Sequence, residues 1–582
     1  MLLDSVLSKV LRGLIAFAIV ASYVAFVANS AAGVAQTNFA NDWESAEGFA
    51  LDRIVGGLEF PTAVVVADTP LGTRYLVTEL RGTIKSITED GQVSVFATID
   101  TVDPENEYPD TRGESGLAGI CIDAERGHVF ATYTIRDSDG ILRNAMRRFD
   151  LGPDGVASPP LAEVDISGAL GQFRSALSHQ IGACQAEDEM LFVSVGDGFD
   201  SGASRKRDVL LGKILRVDYD GTPFDDNPFS GDRSSTASYV WAYGLRNPFG
   251  MELIDGQVYV THNGPGIDSL LRIEPGVDYL WDGTDESMLL NALNVWISSV
   301  GPVHVVYADA SVGQLPEDWR SGFYVAISKG TIAGVQFVPY DPVSGRMTGP
   351  VRWVVRQLGG SDNQAVAGVA IDSGGVVFAP LLPGSDGDVA LYRLRFDPAN
   401  QLPNTIGASP GGESLLNDFG CLACHQFNGE GGSVGPPLDR IPLVVRLSTT
   451  IFSEEYEAST RDIDQLGESP WTDFEAARDE VLSKSGEDRM LAWVKYRIME
   501  PRFDRIDAQM PTLGVSEGDA EALADLLLDP MPWWRRQAIE IFGSRESAQF
   551  FVLGGATATV GLLAAFLLVR FVPWRRWLRR SD

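Results

Sequence analysis

Two cysteines and a histidine stand together at Cys421-Leu422-Ala423-Cys424-His425. Thiols at this spacing, followed at once by an imidazole, can form two thioether links to a haem and give its iron one axial nitrogen. Two other chemistries use such a pair. A redox dithiol belongs to a βαβ context, which the flanking sequence lacks. A zinc site needs a second pair of ligands, and no further Cys or His lies nearby. Covalent haem c is therefore the expected cofactor, with His425 on the iron. Met510, 85 residues after His425 in Gln509-Met510-Pro511, is the candidate for the opposite axial position. A thioether there raises the reduction potential. Met499, before Pro501, is the weaker candidate, and a core methionine is the plain alternative for Met510.

Gly435-Pro436-Pro437-Leu438 and the Met510-Pro511 pair resemble the class I cytochrome c family over about residues 413–528. The resemblance implies that a proline carbonyl orients the His425 imidazole and that Met510 is the second ligand. Ser516-Glu517-Gly518-Asp519 reads as a capping-box-like helix start. Leu523, Leu526 and Leu527 give that helix one apolar face. Residues 441–487 are long and polar for such a domain and have no assigned role.

The region before it must be built differently. Between about residues 50 and 400 a short strand signal recurs six times: Tyr75-Leu76-Val77, Val129-Phe130-Ala131, Leu191-Phe192-Val193, Val258-Tyr259-Val260, Phe323-Tyr324-Val325 and Val377-Phe378-Ala379. Their centres are 54, 62, 67, 65 and 54 residues apart. Each unit has room for about four short strands, the size of a propeller blade. The sequence predicts a six-bladed all-β propeller over 45–400, a linker over 401–412 and an all-α cytochrome c domain over 413–530.

Several propeller segments resemble the PQQ-dependent glucose/aldose sugar dehydrogenases, the glucose/sorbosone dehydrogenase family. They are Leu76-Val77-Thr78-Glu79 with Arg81-Gly82-Thr83-Ile84, Gly116-Leu117-Ala118-Gly119-Ile120, and Ser178-His179-Gln180-Ile181-Gly182. Further on come Leu211-Gly212-Lys213-Ile214-Leu215-Arg216, Ala242-Tyr243-Gly244-Leu245-Arg246-Asn247-Pro248-Phe249-Gly250 and His262-Asn263-Gly264-Pro265. The resemblance implies roles position by position. His179 is the general base that takes the substrate hydroxyl proton, a task suited to imidazole. Arg246 stabilises charge on the quinone oxygen of PQQ, and Asn247 positions the cofactor. The carbonyls of Gly264 and Pro265 bind Ca²⁺, a cation that accepts hard oxygen ligands. Lys329 binds the cofactor, and Glu114 stands where a glutamine usually lies near the quinone. Each also has a bland reading as a loop, turn or ion-pair residue. One departure is plain. The family's Arg-x-Arg-Asp stretch, which grips the PQQ carboxylates, aligns with Ala365-Val366-Ala367-Gly368. Lys329 and Arg356 are then the cations left to replace it.

The ends point to export. Lys9 and Arg12 precede an apolar run from Gly13 to Ala28, with small residues after it. Residues 1–32 thus read as a signal peptide, or alternatively as an N-terminal anchor. Residues 531–549 are expected to be juxtamembrane and 550–572 a transmembrane helix. The basic tail, 573–582, is expected in the cytoplasm, because Arg575, Arg576, Arg579 and Arg580 mark the inner side. The bulk of the chain would then lie on the periplasmic side of a bacterial inner membrane. Cys121 and Cys184 would either pair or stay buried thiols. A net charge of −33 excludes a basic nucleic-acid surface.

Two functions fit these features. One is a quinoprotein dehydrogenase that oxidises an aldose, or a similar hydroxyl or aldehyde substrate, and passes electrons to its own haem and on to a membrane or periplasmic acceptor. The other is a haem c electron-transfer subunit whose propeller only docks or supports.

Overall fold

A computed structural model describes residues 39–528, apart from 103–113, 156–163, 169, 173, 290, 298, 330–332, 359–364, 407–414, 417–418, 433–434, 509 and 511. The expected signal peptide, transmembrane helix and basic tail lie outside the described residues. Among the described residues no helix is long and apolar enough to cross a membrane. The chain divides into two compact units, residues 1–409 with 511–514 and residues 410–510 with 515–582.

The first unit is a six-bladed propeller. Its blades are antiparallel sheets, and each begins on an inner strand: Pro61–Thr69, Leu117–Asp123, Ile181–Glu187, Pro248–Ile254, Pro302–Ala308 and Val366–Asp372. Each inner strand packs against the next, and the last packs against the first, so the ring closes. The six recurring triplets all fall on the second strand of a blade, for example Gly322–Ile327 and Gly375–Pro380, where every residue is buried. These strands are covered on both faces by neighbouring blades, which is why they read as continuous apolar runs.

Two strands from the start of the chain finish blades made at its end. Phe49–Val55 pairs with Leu391–Phe396 and supplies the sixth blade's outer strand, with Phe49 opposite Phe396. Trp43–Ser45 adds an extra outer strand to the fifth blade along Arg352–Gln357. Arg356 belongs to that outer pair, and its guanidinium donates to Glu44 Oε1 at 2.6 Å. It therefore does not stand in for the missing cofactor-gripping arginines. A blade's outer strands lie furthest from the axis, and this cation is already paired there.

Cys121 and Cys184 form a disulfide. It joins the inner strands of the second and third blades, which settles the open alternative between paired and free thiols. Closing a loop with a sequence separation of 63 restricts the unfolded chain. The Cys121→Ser/Cys184→Ser variant should therefore lose about 2–4 kcal/mol of propeller stability, measured by denaturant unfolding without reductant. An unchanged midpoint would show that the bridge adds nothing.

The second unit is helical. Its helices run Arg440–Thr450, Glu454–Ile463, Glu475–Ser483, Gly486–Met499 and Glu517–Leu528. Ser516 caps the last helix: its Oγ accepts from the Asp519 amide at 3.2 Å, while Leu523 and Leu527 are buried. The unassigned stretch 441–487 supplies three of these helices, and two buried polar hubs hold them. Arg478, only 1% exposed, donates to Asp464 Oδ1 at 2.7 Å and to the carbonyls of Phe503 and Trp471 at 2.9 and 2.8 Å. Asp504 accepts from Tyr456 Oη at 2.7 Å, and from Trp493 Nε1 and Arg497 Nη1 at 2.6 Å each. Buried polar groups satisfied in this way fix one arrangement of the backbone. Here they anchor the segment that leads to Met510.

Candidate functional site

At the start of the third blade the backbone at His179 turns into the left-handed region, with φ +57°. Such a conformation is costly for a residue with a Cβ and is held only by its surroundings. The surroundings here are two zipped segments. Gly196 N donates to the Gln180 carbonyl at 2.9 Å, and Gly198 N to the His179 carbonyl at 3.1 Å. The approach is so close that a Cβ on Gly196 would meet the His179 carbonyl oxygen at 2.5 Å, so only glycine fits there.

The zipper delivers Asp197 to the imidazole. His179 Nδ1 lies 2.7 Å from Asp197 Oδ1. The carboxylate accepts, so Nδ1 carries a proton and Nε2 is the nitrogen left to act. Asp197 also accepts from the Phe199 amide at 3.0 Å and from Trp281 Nε1 at 2.9 Å. Burial raises the Asp197 carboxyl, but the hydrogen bond and charge of His179, with the Phe199 and Trp281 donors, outweigh it and hold it below the usual carboxylate range. Glu114 Oε2 accepts from the His179 amide at 3.0 Å, and the Glu114 carbonyl accepts from the Gln180 side chain.

Arg246 comes from the end of the third blade. Its amide donates to His262 Nε2 at 2.7 Å, and its Nη1 donates to the Asn263 carbonyl at 2.7 Å. His262 must be neutral to accept that bond, and burial pushes it down to about 3. Burial also lowers the Arg246 guanidinium, against the pull of Asp197, Glu114, Asp268 and Asp285. Those four carboxylates place Arg246 in the same charged neighbourhood as His179. Asn247 is buried, and its carbonyl accepts from the Asn263 amide at 3.0 Å.

The segment His262-Asn263-Gly264-Pro265 follows directly. Gly264 N donates to Asp268 Oδ1 at 2.9 Å, and Asp268 Oδ2 accepts from the amides of Val300 and Gly301 at 2.7 and 2.8 Å. Asp268 thus ties the Gly264 turn to the segment before the fifth blade. Lys329 sits on that next connection, where its amide donates to the Val300 carbonyl at 2.9 Å and its ammonium meets Ser299 Oγ. The structure brings Glu114, His179 and Arg246 into one neighbourhood, with Asn247, Gly264 and Pro265 on the adjoining backbone. Sequence reading did not single out Asp197, Trp281 or Gln180. The only signal was an acid between two glycines in Gly196-Asp197-Gly198, which reads as an ordinary turn.

Arg246, a half-buried cation, can donate to a quinone oxygen. Gln180 Oε1 and Asn263 Oδ1 are buried without a hydrogen-bond partner among the described residues, and as acceptors they suit an O–H or N–H of a ligand. The stretch aligned with the two gripping arginines is different. Ala365, Val366 and Ala367 are buried apolar residues at the start of the sixth blade's inner strand. Among the described residues no group of three or more His, Cys, Asp or Glu could hold a metal; the oxygens expected at Gly264 and Pro265 are backbone carbonyls.

In the helical unit, Cys421–Cys424 form one short helix and His425 follows it. His425 Nδ1 donates to the Pro436 carbonyl at 2.7 Å, leaving Nε2 as the nitrogen available to iron. Gly435 lies flat on the ring, where a Cβ would come within 2.5 Å of Nδ1 and Cε1. Burial pushes the Cys421 thiol up to about 12 and raises Cys424 as well. A redox dithiol needs the opposite, a lowered thiol. These residues fit a haem held by two thioethers and His425. Met499 ends its helix, and Met510 stands in the irregular segment after the Asp504 hub.

Comparisons with known proteins bear on the propeller. Residues 58–292 match the family model described as Glucose / Sorbosone dehydrogenase. The chain is 28% identical over 287 residues to the uncharacterized protein slr1608 of Synechocystis, covering 43% of this chain and 66% of that one. It is 32% identical over 94 residues to the aldose sugar dehydrogenase YliI of Escherichia coli, covering 16% of this chain and 25% of that one. The chain thus spans less than two thirds of either curated relative. Among solved structures, the PQQ-bound aldose sugar dehydrogenase of Streptomyces coelicolor aligns with 60% of this chain and 99% of its own, at 21% identity and a TM-score of 0.46. The apo soluble aldose sugar dehydrogenase of Escherichia coli aligns over the same shares at 16% identity, also with a TM-score of 0.46.

Proposed function

We propose that the chain is a membrane-anchored quinoprotein dehydrogenase that oxidises an aldose, or a similar hydroxyl or aldehyde substrate, and wires that oxidation to its own haem c. The observation that carries the reading is the His179–Asp197 pair beside Arg246. It locks one imidazole nitrogen against the carboxylate and leaves Nε2 as the nitrogen that can take a proton. The family match over 58–292 supports it.

In this reading Nε2 of His179 takes the substrate hydroxyl proton as the carbinol carbon gives up a hydride, and the product is the carbonyl or lactone. Asp197 holds the ring in the acting tautomer and steadies the imidazolium that forms. Arg246 aims a cation at the acceptor end of the site, where negative charge develops. PQQ, when bound, supplies the two-electron acceptor for that hydride. Asn247, Glu114 and Lys329 would hold it, and the carbonyls of Gly264 and Pro265 would hold its Ca²⁺. Cys421, Cys424, His425 and Met510 would hold a haem that carries single electrons onward. The Cys121–Cys184 bridge supports an oxidising compartment, and together with the expected anchor it supports a position on the periplasmic side of the inner membrane.

The buried Ala365-Val366-Ala367 stretch favours a second reading, in which the propeller has lost its cofactor and only docks a partner for the haem unit. One experiment separates the two. Purified, oxidised, haem-loaded protein is given Ca²⁺ and PQQ, and the haem α-band is followed after substrate is added. Reduction that requires both PQQ and substrate is expected. Haem reducible by ascorbate, in protein that takes up no PQQ on titration, would sink the enzyme and leave the docking reading.

A further inference from the structure

Two apolar side chains stand exposed next in the chain to residues of the site, and both are held in the left-handed backbone region. Phe199 is 65% exposed with φ +65°, and Leu280 is 36% exposed with φ +64°. Large apolar residues are normally covered. Residues bearing a Cβ normally avoid this conformation, which glycine adopts freely. A glycine at either position would expose less apolar surface and carry less strain. Strain kept at a functional site points to use there.

Their placement says what the use is. The Phe199 ring lies against the imidazole of His179, with centroids 4.1 Å apart, while His179 beneath it is only 5% exposed. Leu280 precedes Trp281, whose Nε1 donates to Asp197. The two loops are joined again where Ser204 Oγ donates to the Trp281 carbonyl at 3.4 Å. Phe199 therefore follows the carboxylate that sets the base and covers the base itself, and Leu280 is the chain neighbour of the indole that holds that carboxylate. The rest of the site is polar: the guanidinium of Arg246, over the Trp281 ring at 5.8 Å, and the oxygens of Gln180 and Asn263, which have no hydrogen-bond partner among the described residues. A polar floor under an apolar rim matches a molecule with the same two halves.

We propose that Phe199 and Leu280 select a hydroxyl compound with an aromatic or alkyl group next to the reacting carbon, of the benzyl alcohol type, in preference to a bare aldose. The proposal rests on the dehydrogenase reading for its chemistry, and its test does not. A bare sugar would leave the rim in water, whereas an apolar substituent would cover it and remove its area from solvent.

The test is equilibrium binding to the full-length holoprotein by calorimetry, with benzyl alcohol and D-glucose as probes. The wild type should bind benzyl alcohol at least tenfold more tightly than glucose. Phe199→Gly and Leu280→Gly should each cut that ratio at least threefold, and the melting temperature should hold or rise as the left-handed strain is relieved. Phe199→Asn, which tolerates this conformation, covers the case in which the glycine variant folds poorly. A wild-type ratio near one, or a ratio that survives in the double variant, overturns the proposal. If the preference is present but neither compound is oxidised, the dehydrogenase reading falls and this one stands. If glucose is oxidised with no preference, the reverse holds.

Discussion

His179→Ala should lower kcat by about 10³-fold, within the range expected for loss of a general base, while KM for the substrate moves little. The argument is geometric. Nδ1 is committed to Asp197 at 2.7 Å, so Nε2 is the lone pair the site can offer. Asp197→Asn should cost at least as much, up to about 10⁴-fold, because an amide can donate to Nδ1 and leave the ring proton on Nε2, the wrong tautomer for a base. Steady-state haem reduction at saturating substrate measures both. Equal kcat in wild type and His179→Ala would show that the proton leaves by another route. An Asp197→Asn variant as active as the wild type would show that the pair is merely structural.

The second large effect is on the haem. Cys421→Ser/Cys424→Ser should abolish covalent attachment, so that haem staining disappears from the denatured chain. Each single variant should retain one thioether and a shifted absorption band. His425→Ala should keep the haem on the chain but change its spin state, because Nε2, presented by the Pro436 carbonyl at 2.7 Å, would be gone. Met510→Ala should lower the midpoint potential, since a thioether ligand raises it. Wild-type protein, produced with haem supply and export, that carries free thiols or stoichiometric zinc at Cys421 and Cys424 would refute the haem assignment.

Much of the propeller could be read from sequence because its physics is local. The second strand of each blade is covered on both sides, and it leaves an apolar triplet at near-regular spacing. Residues whose meaning depends on distant partners could not be read this way. Asp197 looks like a turn acid until the left-handed backbone at His179 brings the two segments together. Arg356 looked like a free cation because sequence order does not reveal which strand of a blade faces the axis. The all-α reading of 413–530 covers the helices within 441–487, but what holds them is not legible, because Arg478 and Asp504 gather partners from distant positions. Phe199 and Leu280 carry no sequence signal, since an exposed apolar residue is ordinary until its backbone angle is known.

The closure of the sixth blade bears on how the protein is made. Phe49 is paired with Phe396, so a strand near the beginning of the chain must wait for its partner until the propeller's last strand has been synthesised. Until then the ring is open, with unpaired strand edges that invite other chains, and pairing across so much sequence is slow. A nascent propeller of this design would depend on holding chaperones for longer than a protein built from local contacts. A ribosome stalled before Leu391 would release a product with no way to close.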